Sequence, residues 1–200
     1  MAFLEVKNVK KVYTTRFGTN KVEALKNVNF TAEKGEYLAI MGESGSGKTT
    51  LLNVLASIDK ASSGKIILNG KEMDTIKDKE LAQFRREHLG FVFQDFNLLD
   101  SFTLGENICL PLVLAGKKYP QIEPQLQEVA RKVNITELLG KYPYEVSGGQ
   151  KQRAAVCRAI ITRPELILAS FRRAGSERAG SSAGLVRVRR ALLFTCSIPS

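Results

Sequence analysis

The 200-residue sequence has no tryptophan, one histidine and three cysteines. The cysteines, Cys109, Cys157 and Cys196, lack CxxC spacing, which argues against both a disulfide framework and a zinc site. No acid and nucleophile accompany His88, so we interpret it as a solvated residue at a helix end rather than a catalytic group. These scarcities exclude a disulfide-rich secreted domain and favour a reduced, cytoplasmic setting.

Long hydrophobic runs are also missing. The apolar run 108–115 is interrupted by Pro111 and is much shorter than the roughly 20 residues that a membrane-spanning helix needs. Residues 1–6 show no basic segment followed by an apolar one, so we expect no secretion signal. The composition, 44% hydrophobic and 25% charged, is that of a soluble protein with one core, or one core and a smaller subdomain.

The net charge of +10 is unevenly distributed along the chain. Residues 170–200 contain six arginines, one glutamate and no lysine, whereas lysine outnumbers arginine 17 to 7 before residue 170. Half of the positive excess therefore comes from the last 31 residues. A basic nucleic-acid binder is an alternative reading. Aromatic residues are sparse in this tail, however, and we expect no nucleic-acid partner.

A glycine-rich stretch lies between an apolar run, 37–41, and a helix-prone run, 50–56. In the P-loop pattern, a turn of this kind surrounds phosphate oxygens with N–H donors, and the next helix directs its positive dipole end at them. Lys48 would contact the β- and γ-phosphates, and the Thr49 hydroxyl would coordinate Mg²⁺. The residues predicted to bind nucleotide here are Gly42, Glu43, Ser44, Gly45, Ser46, Gly47, Lys48, Thr49 and Thr50.

Two residues outside this stretch could serve the same ligand. Tyr13 ends the alternating strand pattern 3–13, and its ring could stack on a base; the alternative is an ordinary tyrosine at a strand end. Gln94 follows the apolar strand pattern 89–93, where its amide could contact Mg²⁺ and the attacking water. Asn69-Gly70, after a further strand pattern, is a strong hairpin-turn signal.

A second candidate anion site lies near the end of the mainly helical stretch 95–161. Ser147 is a natural N-cap for the helix-prone run 151–161. The two glycines at the start of this helix leave N–H groups free to bind an anion together with the helix dipole. We expect Arg153 and Arg158 on the polar face of the helix, without a catalytic role. The residues assigned to this site are Ser147, Gly148, Gly149 and Gln150.

The stretches 42–49 and 146–150, together with Gln94, resemble the ATP-binding subunit of an ABC transporter. The resemblance covers residues 1 to about 169. The stretches 91–94, 97–99 and 103–107 are similar to the branch that energises macrolide, lipoprotein-release and bacitracin-type antimicrobial-peptide exporters. The resemblance to the ATP-binding subunit implies that Tyr13 stacks on adenine and that Gln94 belongs to the Q-loop. It also implies that residues 42–49 are the Walker A loop and that residues 147–150 are the signature motif. Val146 stands where the family usually has leucine.

For the architecture, the resemblance implies an α/β fold. A P-loop core would consist of residues 1–94 and 162–169, with an antiparallel β element at the N-terminus. Residues 95–161 would form an inserted helical subdomain that carries the signature motif.

For the function, the resemblance implies ATP and Mg²⁺ as cofactors, a second ATP-binding subunit in a head-to-tail dimer, and a transmembrane permease. The protein would be cytoplasmic and peripheral on the inner face of the cell membrane, with ATP hydrolysis energising export. A catalytically silent fragment that binds nucleotide or permease is the alternative. The P-loop pattern by itself is also compatible with a kinase or a GTPase. The signature motif at residues 147–150 favours the transporter family.

The family pattern breaks at residue 170. In the family, the strand equivalent to 164–169 ends in Asp-Glu, where the aspartate serves Mg²⁺ and the glutamate is the general base. Ser170 cannot supply an anionic ligand and Phe171 cannot accept a proton, so we expect a hydrolysis-deficient chain. The sequence 170–200 shows no period, strand or cap.

We therefore expect a fold truncated after the Walker B strand, followed by a frameshifted or disordered tail. Residues 171–174 can be encoded by TTC-CGA-CGA-GCC, which read one nucleotide further gives Ser-Asp-Glu and most of a proline codon. A core that ends there would have a sheet with an unpaired edge and helices with exposed apolar faces, and low solubility would follow.

Overall fold

The computed structural model describes residues 2–14, 20–172 and 191–198. These residues form eight strands, five α-helices and three short 3₁₀ turns. The strands are β1 Leu4–Thr14, β2 Lys21–Ala32, β3 Tyr37–Glu43, β4 Ser63–Leu68, β5 Lys71–Glu72, β6 Leu89–Val92, β7 Leu166–Arg172 and β8 Ala191–Ile198. The helices are α1 Lys48–Leu55, α2 Asp78–His88, α3 Leu104–Leu114, α4 Tyr119–Lys132 and α5 Gly148–Ile160, and the 3₁₀ turns are Met73–Thr75, Thr136–Leu138 and Pro143–Glu145.

The first sheet is antiparallel and has the strand order β2-β1-β4-β5. Leu4 and Val6 alternate along β1 and are buried, because successive side chains of a strand point to opposite faces. Asn69 and Gly70 join β4 to β5 with φ values of 49° and 78°, the positive φ that a tight hairpin turn requires at both central residues. The predicted antiparallel β element and its hairpin turn are confirmed.

The second sheet is parallel and has the strand order β3-β8-β7-β6. Helix α1 follows β3, and α5 precedes β7, so helices alternate with parallel strands as in α/β proteins. The carboxyl ends of β3 and β6 lead to the glycine-rich loop and to Gln94, and Ser170 lies within β7, near its carboxyl end. Ligands of open parallel sheets bind at this edge, so the topology brings the predicted site residues to one side of the sheet.

The prediction that residues 170–200 contain no strand is wrong. Strand β7 continues through Ser170 to Arg172, and β8 pairs in parallel with both β3 and β7. The edges of β3 and β7 that face each other are therefore paired rather than open. Pairing between strands distant in sequence has no local signal, which explains the error. The rest of the predicted tail, 173–190 and 199–200, lies outside the described residues.

One face of strand β3 is uncovered. Tyr37 and Met41 lie two strand repeats apart on this face, and Met41 is 66% exposed. On the opposite face, Leu38 and Ile40 pack against the core of the first sheet.

A second apolar core is built by α3, α4 and α5. It contains the buried side chains of Leu104, Ile108, Ile122 and Leu126, and α5 contributes Cys157. The opposite side of α5 packs Ala155 and Ala159 against β6 and β7. Helix α5 therefore connects the helical layer to the parallel sheet. Within the described part of the chain, no helix is long and apolar enough to cross a membrane.

Candidate functional site

The glycine-rich loop turns tightly between β3 and α1. Gly45 and Gly47 have φ values of 82° and 85°, in the left-handed region that favours glycine. Gly47 is the N-cap of α1 and makes no side-chain cap, so the helix begins with main-chain N–H groups facing the loop. A Cβ at Gly47 would lie 2.3 Å from the Ala24 carbonyl oxygen, which shows that the loop packs tightly on β2.

Lys48 is enclosed by this loop, with 7% of its surface exposed. Its Nζ donates to the carbonyl oxygen of Gly42 at 2.8 Å, to Ser46 Oγ at 3.0 Å and to the carbonyl oxygen of Glu43. A buried ammonium is stable only when oxygen acceptors surround it, and the turn of the loop supplies them. The loop thus holds one positive charge beside the N-terminus of α1, where the helix dipole adds to the positive potential.

The loop opens into a cavity of about 750 Å³ that Gln94 also lines. A second cavity of about 270 Å³ is lined by Thr49, Gln94 and Ser170 together with Asp95. The structure therefore brings Thr49 and Gln94 together, although 45 residues separate them in sequence. The first cavity is lined by Ser44, Gly45, Ser46, Gly47, Lys48, Thr49, Thr50 and residues 22–26 and 28 besides Gln94.

The residues around the smaller cavity fit Mg²⁺ only in part. Magnesium in proteins is usually bound by one or two carboxylates together with substrate phosphates. Thr49, Gln94 and Ser170 offer neutral oxygens, and the carboxylate that lines this cavity, Asp95, is exposed. The donor set fits an Mg²⁺ ion that arrives with phosphate oxygens, and it does not fit one held by the protein alone.

Tyr13 lies near the end of β1 with 42% of its surface exposed. Its hydroxyl donates to Asp59 Oδ2 at 2.8 Å, and Lys11 Nζ lies 4.9 Å from the ring centre. The hydrogen bond to Asp59 raises the pKa of Tyr13, an effect that a hydrogen bond from Thr50 partly offsets. Thr50 belongs to the first turn of α1, so the Tyr13 hydroxyl lies near the start of this helix. Neither Lys11 nor Asp59 was predicted, because an ion pair between residues 48 apart leaves no sequence pattern.

The second predicted anion site forms the start of α5. Ser147 is its N-cap, as predicted: Gln150 N–H donates to Ser147 Oγ at 3.4 Å, and Ser147 N–H donates to Gln150 Oε1 at 2.8 Å. Ser147, Gly148 and Gly149 are exposed. A Cβ at either glycine would meet no atom within 4 Å. Residues 147–150 line neither of the two cavities above, so within one chain they remain apart from the glycine-rich loop.

Arg158 departs from the prediction that it lies on the polar face of α5. It is half-buried, and its guanidinium donates to the carbonyl oxygens of Phe96 and of Asn97, the latter at 2.6 Å. Burial lowers the pKa of Arg158. Phe96 and Asn97 adopt φ values of 60° and 45°, a conformation that sequence patterns do not reveal for phenylalanine. Arg153, in contrast, is exposed as predicted.

Asn107 is a further residue that sequence reasoning missed. It is fully buried on α3 and accepts a hydrogen bond from Leu99 N–H at 2.7 Å. Its amide donates to the carbonyl oxygens of Leu99, Phe102 and Thr103 at 3.0 to 3.1 Å. The available signal was an asparagine within the apolar run of α3, since a buried amide needs several partners. Arg158 and Asn107 together fix the loop 95–103 that follows Gln94.

Comparison with known proteins agrees with this geometry. The family model described as "ABC transporter" matches residues 25–169. The chain is 53% identical over 169 residues to a bacitracin export ATP-binding protein, BceA, of Halalkalibacterium halodurans, covering 84% of this chain and 66% of that protein. It is 52% identical over 166 residues to the ABC transporter ATP-binding protein YxdL of Bacillus subtilis, covering 83% and 63%. The chain thus spans slightly less than two thirds of the length of these relatives.

Solved structures give the same result. The dimeric post-hydrolysis state of the ATP-binding cassette MJ0796, bound to ADP and Pi, is 31% identical with a TM-score of 0.81, covering 96% of this chain and 87% of that one. A second dimeric structure of MJ0796 has a TM-score of 0.82 at the same identity and coverage. The family match over residues 25–169 and relatives above 50% identity show that this chain belongs to the ABC transporter family, as an ATPase domain.

Proposed function

We propose that residues 1–169 bind ATP and Mg²⁺ and belong to an ATPase that energises export through a membrane permease. Within this unit, residues 1–94 and 162–169 would form the P-loop core, and residues 95–161 the helical subdomain. The single observation that carries the proposal is the enclosed Lys48 ammonium beside the N-terminus of α1. The bacitracin-export name of the similar protein supports antimicrobial peptides as the exported class, with lipoproteins as the other candidate of this branch.

The loop would bind the triphosphate through main-chain N–H groups and Lys48. A helix N-terminus and an enclosed cation both favour an anion with several oxygens, and such contacts are charge-assisted hydrogen bonds. Tyr13 would stack on adenine, and the Thr49 hydroxyl and Gln94 would serve Mg²⁺. When bound, Mg²⁺ neutralises charge on the phosphates that Lys48 and the loop orient.

Hydrolysis requires a base that this chain does not have at the expected place. Ser170 and Phe171 occupy the positions where the resemblance implies aspartate and glutamate. A hydroxyl and a phenyl ring accept no proton from water near neutral pH, so the chain as written would bind nucleotide without turning it over.

The exposed start of α5 supports a head-to-tail dimer. Ser147, Gly148 and Gly149 are exposed and line neither cavity of their own chain, and the two glycines begin α5, where main-chain N–H groups have no partner within the helix. An anion bound there must therefore come from outside the chain. The proposal is that the signature residues of one subunit, including Gln150, contact the triphosphate held by the loop of a second subunit, as the dimeric form of the similar cassette suggests.

The permease and the location follow from the same proposal. The chain would be cytoplasmic and would bind a transmembrane permease at the inner face of the cell membrane, with no nucleic-acid partner. A catalytically silent fragment that occupies a permease or a partner ATPase is the second candidate. The absence of carboxylate at Ser170 and Phe171 favours it for the chain as written.

Replacing Lys48 tests nucleotide binding directly. Lys48→Ala is expected to weaken Mg·ATP binding by about tenfold or more, because charge-assisted hydrogen bonds contribute roughly 1.5 to 3 kcal/mol each. The matched control is Lys60→Ala, which removes an exposed lysine paired with Asp78 on the surface. Isothermal titration calorimetry measures both. Unchanged affinity in Lys48→Ala would overturn the nucleotide site.

Turnover separates the two candidate functions. The unaltered chain is expected to release no phosphate from ATP. Full ATPase turnover by this chain would contradict the hypothesis that it binds nucleotide without hydrolysing it. We propose that the reading frame changes near residue 170. Sequencing the gene across codons 165–175 tests this proposal, and an intact in-frame segment would contradict it.

A further inference from the structure

The Asp59 carboxylate binds two side chains, Tyr13 and Lys11. Its Oδ2 accepts the Tyr13 hydroxyl at 2.8 Å, and its Oδ1 accepts Lys11 Nζ at 2.6 Å. Lys11 Nζ also donates to the carbonyl oxygen of Lys60 at 2.7 Å and lies over the tyrosine ring. The side chain of Lys11 is only 12% exposed, although it is an ammonium at the rim of a sheet.

The position of Asp59 is determined by α1. After the helix, Ser57 takes a φ of 53° and the chain folds back, so that the N–H groups of Ile58 and Asp59 donate to the Asn53 carbonyl oxygen at 2.9 and 3.1 Å. Asp59 is therefore attached to the same short helix that begins at Lys48. One helix carries the phosphate-facing ammonium at its start and the carboxylate that contacts Tyr13 just beyond its end.

We propose that Asp59 and Lys11 are positioning residues for the base of the bound nucleotide: they hold the Tyr13 ring at a fixed place relative to the triphosphate loop. This inference rests on the proposed function, in which Tyr13 stacks on adenine. The roles proposed for the glycine-rich loop, for Gln94 and for residues 147–150 do not depend on this inference.

The physical argument concerns an exposed ring at a strand end. A tyrosine that is 42% exposed can rotate, and stacking is favourable only when the ring plane is parallel to the base. A charge-assisted hydrogen bond from the hydroxyl to a carboxylate restricts that rotation. The ammonium of Lys11 attracts one face of the ring by a cation–π interaction, which leaves the opposite face for the base.

The pKa of Asp59 agrees with a persistent contact. Burial alone would raise the pKa of this carboxyl, but hydrogen bonds from Lys11 and Tyr13 and the charge of Lys11 bring it below its ordinary value. The competing explanation is purely structural: the same contacts tie β1 to the segment after α1. The two explanations differ in one expected result. Only a positioning role predicts that replacing Asp59 weakens the binding of a ligand with a base and leaves the binding of triphosphate unchanged.

The experiment compares two ligands that share phosphates and differ in the base. Affinities for Mg·ATP and for inorganic triphosphate are measured by calorimetry on the full chain and on Tyr13→Ala, Asp59→Ala and Lys11→Met. Tyr13→Ala is expected to weaken ATP binding about 5- to 150-fold, the range of base–aromatic stacking, and to leave triphosphate binding unchanged. Asp59→Ala and Lys11→Met are expected to weaken ATP binding about 5-fold each, the size of one typical net hydrogen bond, again without effect on triphosphate.

The double variant Tyr13→Ala with Asp59→Ala provides the control, since it should bind ATP no more weakly than Tyr13→Ala alone. Parallel losses of ATP and triphosphate affinity in Asp59→Ala would indicate a structural role and overturn the inference, as would unchanged ATP affinity. If Tyr13→Ala itself leaves ATP binding unchanged, the base contact of the proposed function is wrong. If the unaltered chain binds neither ligand, the nucleotide site fails and the inference fails with it.

Discussion

Gly47 determines how closely the glycine-rich loop approaches β2. Gly45, two residues earlier in the same loop, has nearly the same left-handed backbone but open space where a Cβ would lie. The two glycines therefore separate the cost of a left-handed conformation from the cost of a steric clash. At Gly47 the atom that a Cβ would meet is the main-chain oxygen of Ala24, which cannot move aside as a flexible side chain could.

We expect Gly45→Ala to lower the free energy of unfolding by about 1 to 2 kcal/mol, the cost of a left-handed alanine. Gly47→Ala is expected to lower it clearly further, because β2 must shift away from the loop. Urea denaturation of both variants measures the difference. Equal losses of stability would show that the loop does not pack on β2 as described.

The buried thiols of Cys109 and Cys157 should react slowly with alkylating reagents. Burial raises the pKa of the Cys157 thiol to about 12 and that of Cys109 to about 11. Because the thiolate is the nucleophile, and a raised pKa keeps the thiol protonated at pH 8, iodoacetamide should alkylate both residues far more slowly in the native chain than in urea. Mass spectrometry of the labelled peptides gives the rates. Rapid labelling of native Cys157 at pH 8 would contradict its burial.

Among the elements, helix α5 contacts both the parallel sheet and the loop that follows Gln94. Its first two residues, Gly148 and Gly149, are exposed, its middle packs on the parallel sheet, and Arg158 donates to the loop after Gln94. A displacement of α5 would therefore move this loop as well. Arg158 is in this sense a positioning residue for Gln94.

Replacing Arg158 tests this connection. Arg158→Ala is expected to lower the free energy of unfolding by about 1 to 3 kcal/mol, since two carbonyl groups lose their donor. Hydrogen exchange of the amides in 95–103 should also become faster. The control is Arg163→Ala, which removes an exposed ion pair with Glu128 and should change stability by less than about 1 kcal/mol. If both variants exchange alike in this loop, Arg158 does not anchor it.

The elements show what the sequence could and could not predict. The glycine-rich loop, the hairpin turn at Asn69-Gly70 and the N-cap at Ser147 depend on neighbouring residues, and each was predicted correctly. Strand β8, the contact of Arg158 and the Asp59 group depend on residues far apart in sequence. Their geometry is decided by tertiary packing, which a single sequence without pairing information does not contain.

For the whole molecule, the important feature is that the two helix starts that we propose to bind phosphate do not meet within one chain. The start of α1 faces a cavity within the chain, and the start of α5 faces solvent. The residue patterns predicted where the two helix starts lie, and the resemblance to a family predicted the α/β fold up to residue 169. It did not predict the tight pairing of β8 between β3 and β7, because the resemblance ends before that strand.

Gly149 allows the fold and the proposed dimer to be tested separately. Because a Cβ there meets no atom of its own chain and alanine favours helix more than glycine, Gly149→Ala should stabilise the monomer by up to about 1 kcal/mol. A second subunit that approaches this main chain closely would be obstructed, so ATP-dependent dimerisation should weaken. Thermal unfolding and light scattering with Mg·ATP give the two readouts. Unchanged dimerisation, or loss of monomer stability, would contradict the prediction.

The contacts of Lys48 have a consequence for which ions can compete in the cell. Any anion that reaches this ammonium must replace three oxygen acceptors that the loop itself already provides. Chloride offers a single point of contact, and orthophosphate spans only a small part of the surrounding amides. The loop is therefore expected to ignore the abundant small anions of a salt solution and to respond to chains of linked phosphates.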